Sequence, residues 1–153
     1  MAKDKRVPPA AGAAGPKAFI KKVPGQPPPD GGWYKCRPAW SFSHFDTDGV
    51  FGWHAISRLD MMRVVRLLKD LETQTWTDIL VVGAKKYHAI ESNKLSVEAQ
   101  ARLTALGIDD LDAVVSLRLT GEERVHVARF EHFGHLLWWD PKHQVYPVEK
   151  RNT

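Results

Sequence analysis

Basic and imidazole side chains recur in the C-terminal part of the chain, at spacings that paired strands could bring to one surface. Arg118 and Arg124 flank the turn sequence LTGEE, and His126 follows Arg124 by two positions. If the two flanking strands pair in phase, all three side chains lie on one face of the sheet. Guanidinium groups bind phosphate oxygens in a bidentate manner, and imidazole exchanges protons near neutral pH. The spacing therefore predicts that these basic and imidazole groups share one surface.

A second polar group follows the apolar segment LLWW, in the sequence DPKHQVY. This turn would deliver Lys142 and His143 to the end of a strand, with Tyr146 just beyond. Trp138 and Trp139 point to opposite faces of that strand, so we expect one to be core. The other either lies under the edge of the helices or forms a platform on which a base or a partner stacks, the role considered for Trp138.

Each of these residues also has a structural alternative. Arg118 and Arg124 could form ion pairs with acidic residues of the hairpin, and His126 could be a solvated surface residue. Asp140, directly before a proline, is expected to cap the turn. The acidic candidates are Asp112, Glu122 and Glu123. A metal site is a further alternative, although His-x-x-His across a turn is a weak signature. Its candidate ligands are His126, His132, His135 and His143.

The C-terminal elements follow from apolar periodicity. Residues 113–139 alternate with a period of two and contain the turn sequences GEE and EHFGH. This pattern indicates a meander of three antiparallel strands. The sequence WSFSHFDT, residues 40–47, alternates like a further strand, and the Asp46 and Asp48 pair is typical of a turn rather than a metal site.

Helices are predicted between these strands. Ser57 is a good N-cap for a helix over 57–72, and Gly107 suits the C-terminal end of a helix over 96–106. In the first helix, apolar residues at a spacing of three are interpreted as core, and the Arg63 and Arg66 pair as a solvated face. A shorter helix is expected in TQTWTDIL. The order predicts an α+β domain, an antiparallel sheet with a C-terminal three-strand meander and the helices packed on one face.

Composition separates the chain into two parts. Residues 1–32 contain seven of the ten prolines and six of the basic residues against two aspartates, so they carry the whole net charge of +4. We predict that they form a disordered arm and that residues 33–153 form a single α+β domain. One cysteine excludes an internal disulfide and suits the cytoplasm, and no apolar run is long enough to span a membrane.

The hairpin and the ending together resemble the RelE/ParE superfamily of bacterial toxins. The hairpin RLTGEERV matches the arginine, glycine, arginine and valine positions of that family, and KHQVY matches its basic residue shortly before a tyrosine. The ending is also similar to a set of uncharacterised small bacterial proteins with a WWDP-x-H-type stretch, which implies no activity.

The resemblance implies a toxin of a toxin–antitoxin system, with an antitoxin protein and RNA or the ribosome as partners and with no cofactor. Members of the RelE type cleave mRNA by attack of a 2′-hydroxyl on the adjacent phosphate. Arg118 and Arg124 would then stabilise charge at phosphorus, while His126, His143 and Tyr146 are the proton-transfer candidates. Lys142 and Trp138 would bind the RNA.

Three classes of function stay open from the sequence. The first is this toxin-like endoribonuclease, and the second is a non-catalytic module that binds protein or nucleic acid. The third is a metal-dependent hydrolase built from the histidines. No Ser–His–Asp arrangement, Cys–His arrangement or Gly-rich phosphate loop stands out in the sequence.

Overall fold

Residues 32–147 are described by a computed structural model, and they contain one five-stranded mixed sheet. The strand order is β1-β5-β4-β3-β2, with β1 parallel to β5 and every other pair antiparallel. The strands are β1 (Ala39–Ser41), β2 (Tyr87–Glu91), β3 (Ala113–Arg118), β4 (Arg124–Phe130) and β5 (Phe133–Asp140). The α+β class and the C-terminal meander are therefore confirmed. No helix in this part of the chain is long and apolar enough to cross a membrane.

The predicted arm, residues 1–32, lies outside the described residues except for Gly32, so the arm and its boundary with the 33–153 domain stay predictions.

The first long helix, α1 (Arg58–Leu71), begins as predicted, because the Ser57 hydroxyl accepts a hydrogen bond from the Asp60 amide at 3.1 Å. The predicted core stripe is wrong in part. A step of three residues turns a helix by about 300°, so such a run drifts around the helix and only its last members reach the sheet. The exposed members are Leu59, Met62 and Val65. The buried residues of α1 are Val64, Leu68 and Leu71.

The second long helix, α2 (Val97–Ala105), begins at Ser96, whose hydroxyl accepts from the Ala99 amide at 3.2 Å. It ends where predicted. Gly107 adopts a φ of +74°, and the amide of Ile108 donates to the Leu103 carbonyl at 3.0 Å, which satisfies a terminal carbonyl of the helix.

The two helices cover opposite faces of the sheet, so the expectation that they share one face is wrong. The reason lies in β3, which is buried at every position from 113 to 117. Side chains on both faces of this strand are apolar or buried, so a layer must pack on each face of the sheet. The first core cluster joins α1 to the sheet residues Val115, Leu117, Val125, Val127, Leu136 and Trp139. The second core cluster joins α2 to Val114, Ala128, Leu137 and Trp138.

A bulge in β5 decides where its tryptophans go. His126 pairs with Trp138 and the next residue of β4 pairs with Leu136, so Leu137 is the extra residue. Leu137 and Trp138 consequently both enter the second core cluster, whereas Trp139 enters the first. Both tryptophans are core, and the prediction that Trp138 stacks on a base is wrong because its side chain is 0% exposed.

The structures of the segments before and after α1 differ from those that apolar periodicity predicts. The strand predicted over 40–47 shortens to β1, because the chain turns at Phe45, whose amide donates to the Phe42 carbonyl. After α1, Thr75 and Asp78 cap each other reciprocally and start a single π-helical turn, Asp78–Val82. The segment that follows supplies β2, an edge strand of the sheet.

Candidate functional site

Strand register brings three predicted residues onto one face of the sheet. Arg118 lies directly opposite Arg124, and Ser116 lies opposite His126, so the β3–β4 hairpin pairs in phase as predicted. By alternation this face is the one that carries the second core cluster and α2. A helix therefore covers part of the face that carries the arginines and His126.

A buried imidazole–carboxylate pair stands at the centre of this face. Nε2 of His126 and Oδ2 of Asp140 are 3.3 Å apart, and each side chain is 1% exposed. Asp140 also accepts the amides of Gln144 at 2.8 Å and of Val145 at 2.9 Å, so it caps the turn after β5 as predicted. The same carboxylate thus fixes both the turn and the imidazole.

The charges of this pair follow from burial and hydrogen bonding. Burial lowers the pKa of His126, and Asp140 offsets this only in part. Burial alone would raise the pKa of Asp140. The hydrogen bond and the charge of His126, together with two backbone amides, outweigh burial and hold the pKa of Asp140 below its ordinary value. At neutral pH the pair is therefore a neutral imidazole beside a carboxylate. Because the carboxylate accepts, Nε2 of His126 carries the proton and donates it.

The second nitrogen of His126 has no partner among the described residues. Nδ1 is buried and makes no hydrogen bond. In the tautomer fixed by Asp140 it is an unprotonated acceptor, and leaving a buried acceptor unpaired costs about 1–3 kcal/mol. Such groups in native structures commonly mark a catalytic role or a missing ligand or water.

One further histidine lies beside the pair in the sheet. His88 of β2 lies opposite Ser116 of β3, and Ser116 lies opposite His126 of β4. The sheet therefore aligns the imidazoles of His88 and His126, with only the small Ser116 side chain between them. Burial, followed by the charges of Arg124, His126 and His143, lowers the pKa of His88, which places these four residues in one electrostatic environment. His88 was not predicted from the sequence, because its strand is remote in the chain and its short alternating pattern is weak.

The arginine pair does not form the ion pairs that were considered from the sequence. Arg124 donates to the carbonyls of Thr120, Gly121 and Glu123, and Arg118 donates through Nε to the Thr120 carbonyl. Both guanidinium groups therefore rigidify the hairpin turn. Toward the other residues of 32–147, Arg118 uses Nε alone, so within this part of the chain its terminal nitrogens are available for an anion.

The acidic partner expected for these arginines binds α1 instead. Glu123 receives two hydrogen bonds from Arg63, at 2.8 and 3.1 Å, and Arg63 also donates to Asp60 at 2.9 Å. The interpretation as a solvated face holds for Arg66, which is exposed, whereas the partly exposed Arg63 also joins α1 to the hairpin that carries Arg118 and Arg124.

The remaining predicted residues belong to the turn after β5. His143 has a left-handed backbone, φ 57°, and its charge contributes to lowering the pKa of His126. Lys142 is exposed. Tyr146 is half-buried against the second core cluster and makes no side-chain hydrogen bond to another described residue. His143 thus lies within electrostatic range of His126, whereas Tyr146 packs against the second core cluster.

The histidine cluster considered as a metal site is not assembled. His126 faces Asp140, whereas His135 faces His44, with their Nδ1 atoms 3.2 Å apart. Within residues 32–147, no group of three or more His, Cys, Asp or Glu side chains is arranged to hold a metal ion.

A second buried carboxylate stabilises the same face of the sheet. Asp46 is 1% exposed and accepts two hydrogen bonds from Arg102, both 2.9 Å, and one from the Trp138 indole at 3.1 Å. It also accepts the amides of Asp48 and Gly49 at 3.0 Å, as expected for turn chemistry. This carboxylate fixes Trp138, the cross-strand neighbour of His126.

The chain matches no model of a known protein family, no curated protein and no solved structure. The similarity to RelE/ParE toxins accordingly rests on the hairpin RLTGEERV and the ending KHQVY, and it stays a prediction.

Proposed function

We propose that this protein binds RNA on the sheet face that carries His126 and cleaves it, in the manner of a toxin-like endoribonuclease. The observation that carries the proposal is an imidazole held by a buried carboxylate, with its other ring nitrogen unpartnered among residues 32–147. An oriented acceptor nitrogen that burial keeps neutral meets the requirement for a general base. Arg118 and Arg124 favour a phosphodiester as substrate, because guanidinium groups stabilise charge on phosphate oxygens.

The reaction that fits these groups is an internal transesterification. Nδ1 of His126 accepts the proton of a ribose 2′-hydroxyl, and the 2′-oxygen attacks the adjacent phosphorus. The bond from phosphorus to the 5′-oxygen breaks, and the 5′-oxygen keeps the electron pair. His143, the general acid of this proposal, gives it a proton. The products are a 2′,3′-cyclic phosphate and a 5′-hydroxyl end, and both arginines stabilise the charge that develops on the phosphoryl oxygens.

The substrate needs a local movement to reach His126, which is 1% exposed. We place that movement in the turn that follows β5. This turn carries His143 in a left-handed conformation and is held by the Gln144 and Val145 amides on Asp140. Opening the turn would free Asp140 hydrogen bonds and expose the imidazole in one step.

Cleavage of a fluorescent RNA oligonucleotide by the purified full chain tests the proposal. Loss of a general base typically lowers a rate by about 10²–10⁴-fold, so His126→Gln should show that loss. Asp140→Asn should also slow cleavage strongly, because the amide removes the charge that fixes the tautomer. The matched control is His54→Gln, since His54 is exposed in a short 3-10 helix, and it should cleave like the unaltered chain.

Each variant must first unfold at a midpoint close to that of the unaltered chain, so that lost activity reports on chemistry. A 2′-deoxy oligonucleotide should resist cleavage, because it lacks the attacking hydroxyl. Cleavage of the deoxy substrate, or equal rates in His126→Gln and His54→Gln, would contradict the proposed reaction. Arg63→Ala is unsuitable as a neutral control, because Arg63 binds the hairpin through Glu123.

The burial of His126 also favours a second candidate, a non-catalytic module that binds RNA or protein. In that case the arginine pair and the exposed Lys142 and His88 would bind the ligand, and the imidazole–carboxylate pair would only stabilise the turn. Binding of the oligonucleotide without cleavage, with equal affinity for His126→Gln, identifies this candidate.

The similarity to RelE/ParE toxins adds partners and a location to the proposal, namely the ribosome, an antitoxin protein and the cytoplasm. Expression in bacteria tests this part. Growth should arrest with the unaltered chain and recover with Asp140→Asn, and absence of arrest in both cases contradicts a toxin role.

A further inference from the structure

We propose that His44 and His135 bind a divalent transition-metal ion at a site that the RNA proposal does not use. Their Nδ1 atoms face each other at 3.2 Å. Two nitrogens that each lie about 2.0–2.1 Å from one tetrahedral ion are roughly 3.3 Å apart. The observed separation therefore needs almost no adjustment to accept an ion between the two rings.

The backbone fixes this separation from both sides of His44. Before it, Ser41 pairs with His135 in the parallel β1–β5 ladder. After it, the amide of Asp46 donates to the carbonyl of Leu137 at 3.2 Å. The short segment that carries His44 is thus attached to β5 at both ends, so the two imidazoles are preorganised rather than brought together by chance.

The rings are also oriented and in the right protonation state. Phe130 lies edge-on to His135 at 4.8 Å and within 5.7 Å of His44. Burial lowers the pKa of both imidazoles, and the charge of His44 lowers that of His135 further. Imidazole must be neutral to bind a metal ion, so both rings are competent ligands at neutral pH.

Metal binding replaces the proton that the two Nδ1 atoms share. One ring now carries its proton on Nδ1 and donates it to the other. On binding, that ring becomes the Nε2–H tautomer, and no net proton is released. Both side chains are only half-buried, so water can complete the coordination. A site of two neutral nitrogens suits Ni²⁺, Cu²⁺ or Zn²⁺ rather than Mg²⁺ or Ca²⁺.

Calorimetric titration of the untagged full chain with NiCl₂ tests the proposal. We expect one saturable site. Loss of a supporting contact to a metal ligand already weakens affinity by about 10–100-fold, so loss of a ligand in His44→Gln or His135→Gln should weaken it at least as much. His54→Gln and His88→Gln should bind like the unaltered chain. Unchanged affinity in His44→Gln and His135→Gln, or loss of the site in His88→Gln, overturns the proposal.

A measurement on the unaltered chain covers the case in which a variant does not fold. Paramagnetic Ni²⁺ at a low molar ratio should broaden the ring protons of His44 and His135 before those of His54 and His88. Broadening that begins at another histidine contradicts the site. The outcome is independent of RNA cleavage, which uses different imidazoles.

Discussion

Replacing Asp46 by alanine should destabilise the domain strongly, because one carboxylate satisfies several donors at once. The side chain accepts two hydrogen bonds from Arg102, one from the buried Trp138 indole, and the amides of Asp48 and Gly49. A buried donor left unpaired costs about 1–3 kcal/mol, and Trp138 is 0% exposed. Arg102 is partly exposed and regains water, so its loss adds less. We expect a total loss of about 3–5 kcal/mol, the range for breaking a buried ion pair.

Urea unfolding followed by tryptophan fluorescence measures this loss, and Asp48→Ala is the matched control because Asp48 is exposed in the same turn. Burial alone would raise the pKa of Asp46, but Arg102 and the two turn amides outweigh it and hold that pKa below 3.8. The stabilisation is therefore complete above the ordinary aspartate pKa and is lost as the pH falls through the folded value. A loss under about 1 kcal/mol at pH 7, or one equal to that of Asp48→Ala, would refute the reasoning.

Three further outcomes follow from the packing and the charges. Arg63→Met and Glu123→Gln should each lower the thermal midpoint. The double variant should lower it little further, since both substitutions remove the same contact, and additive losses would contradict that coupling. Gly134→Ala should cost about 1–3 kcal/mol in a urea titration, because its methyl group would lie 2.5 Å from the Trp40 ring, whereas Gly121→Ala meets open space and should be neutral. Burial lowers the pKa of four histidines below 6.5 in the folded chain. On acidification the unfolded chain therefore takes up protons at a higher pH than the folded chain does. The free energy of unfolding should consequently fall as the pH drops from 6.5 through the pKa values of the folded chain. A free energy that rises on acidification over that range contradicts this account. The four are His44, His88, His126 and His135.

Features coded by neighbouring residues could be predicted from the sequence. The Ser57 cap, the left-handed Gly107 and the turn at Asp140 each depend on contacts within a few positions. The alternation over residues 113–139 likewise fixed the in-phase pairing of Arg118 with Arg124. In each case one local geometry satisfies the backbone better than its alternatives.

Features that depend on distant register could not be predicted. Nothing near His88 in the sequence indicates that β2 lies beside β3, which is what aligns it with His126. The bulge at Leu137 turns two successive residues of β5 toward one core cluster, which strict alternation does not anticipate. The contact of Arg63 with Glu123 likewise joins a helix to a hairpin far along the chain.

The most direct test of the RNA-cleaving site is the state of the His126 ring in the unaltered chain, observed by nitrogen-15 NMR of its imidazole at neutral pH. We predict a neutral ring that carries its proton on Nε2 and has an unprotonated Nδ1. Addition of an RNA whose reactive 2′-oxygen is methylated, and which therefore binds without being cleaved, should shift the Nδ1 signal and leave that of His54 in place. A ring protonated on Nδ1, or an Nδ1 signal that does not respond to saturating RNA, would contradict the assignment of His126 as the base.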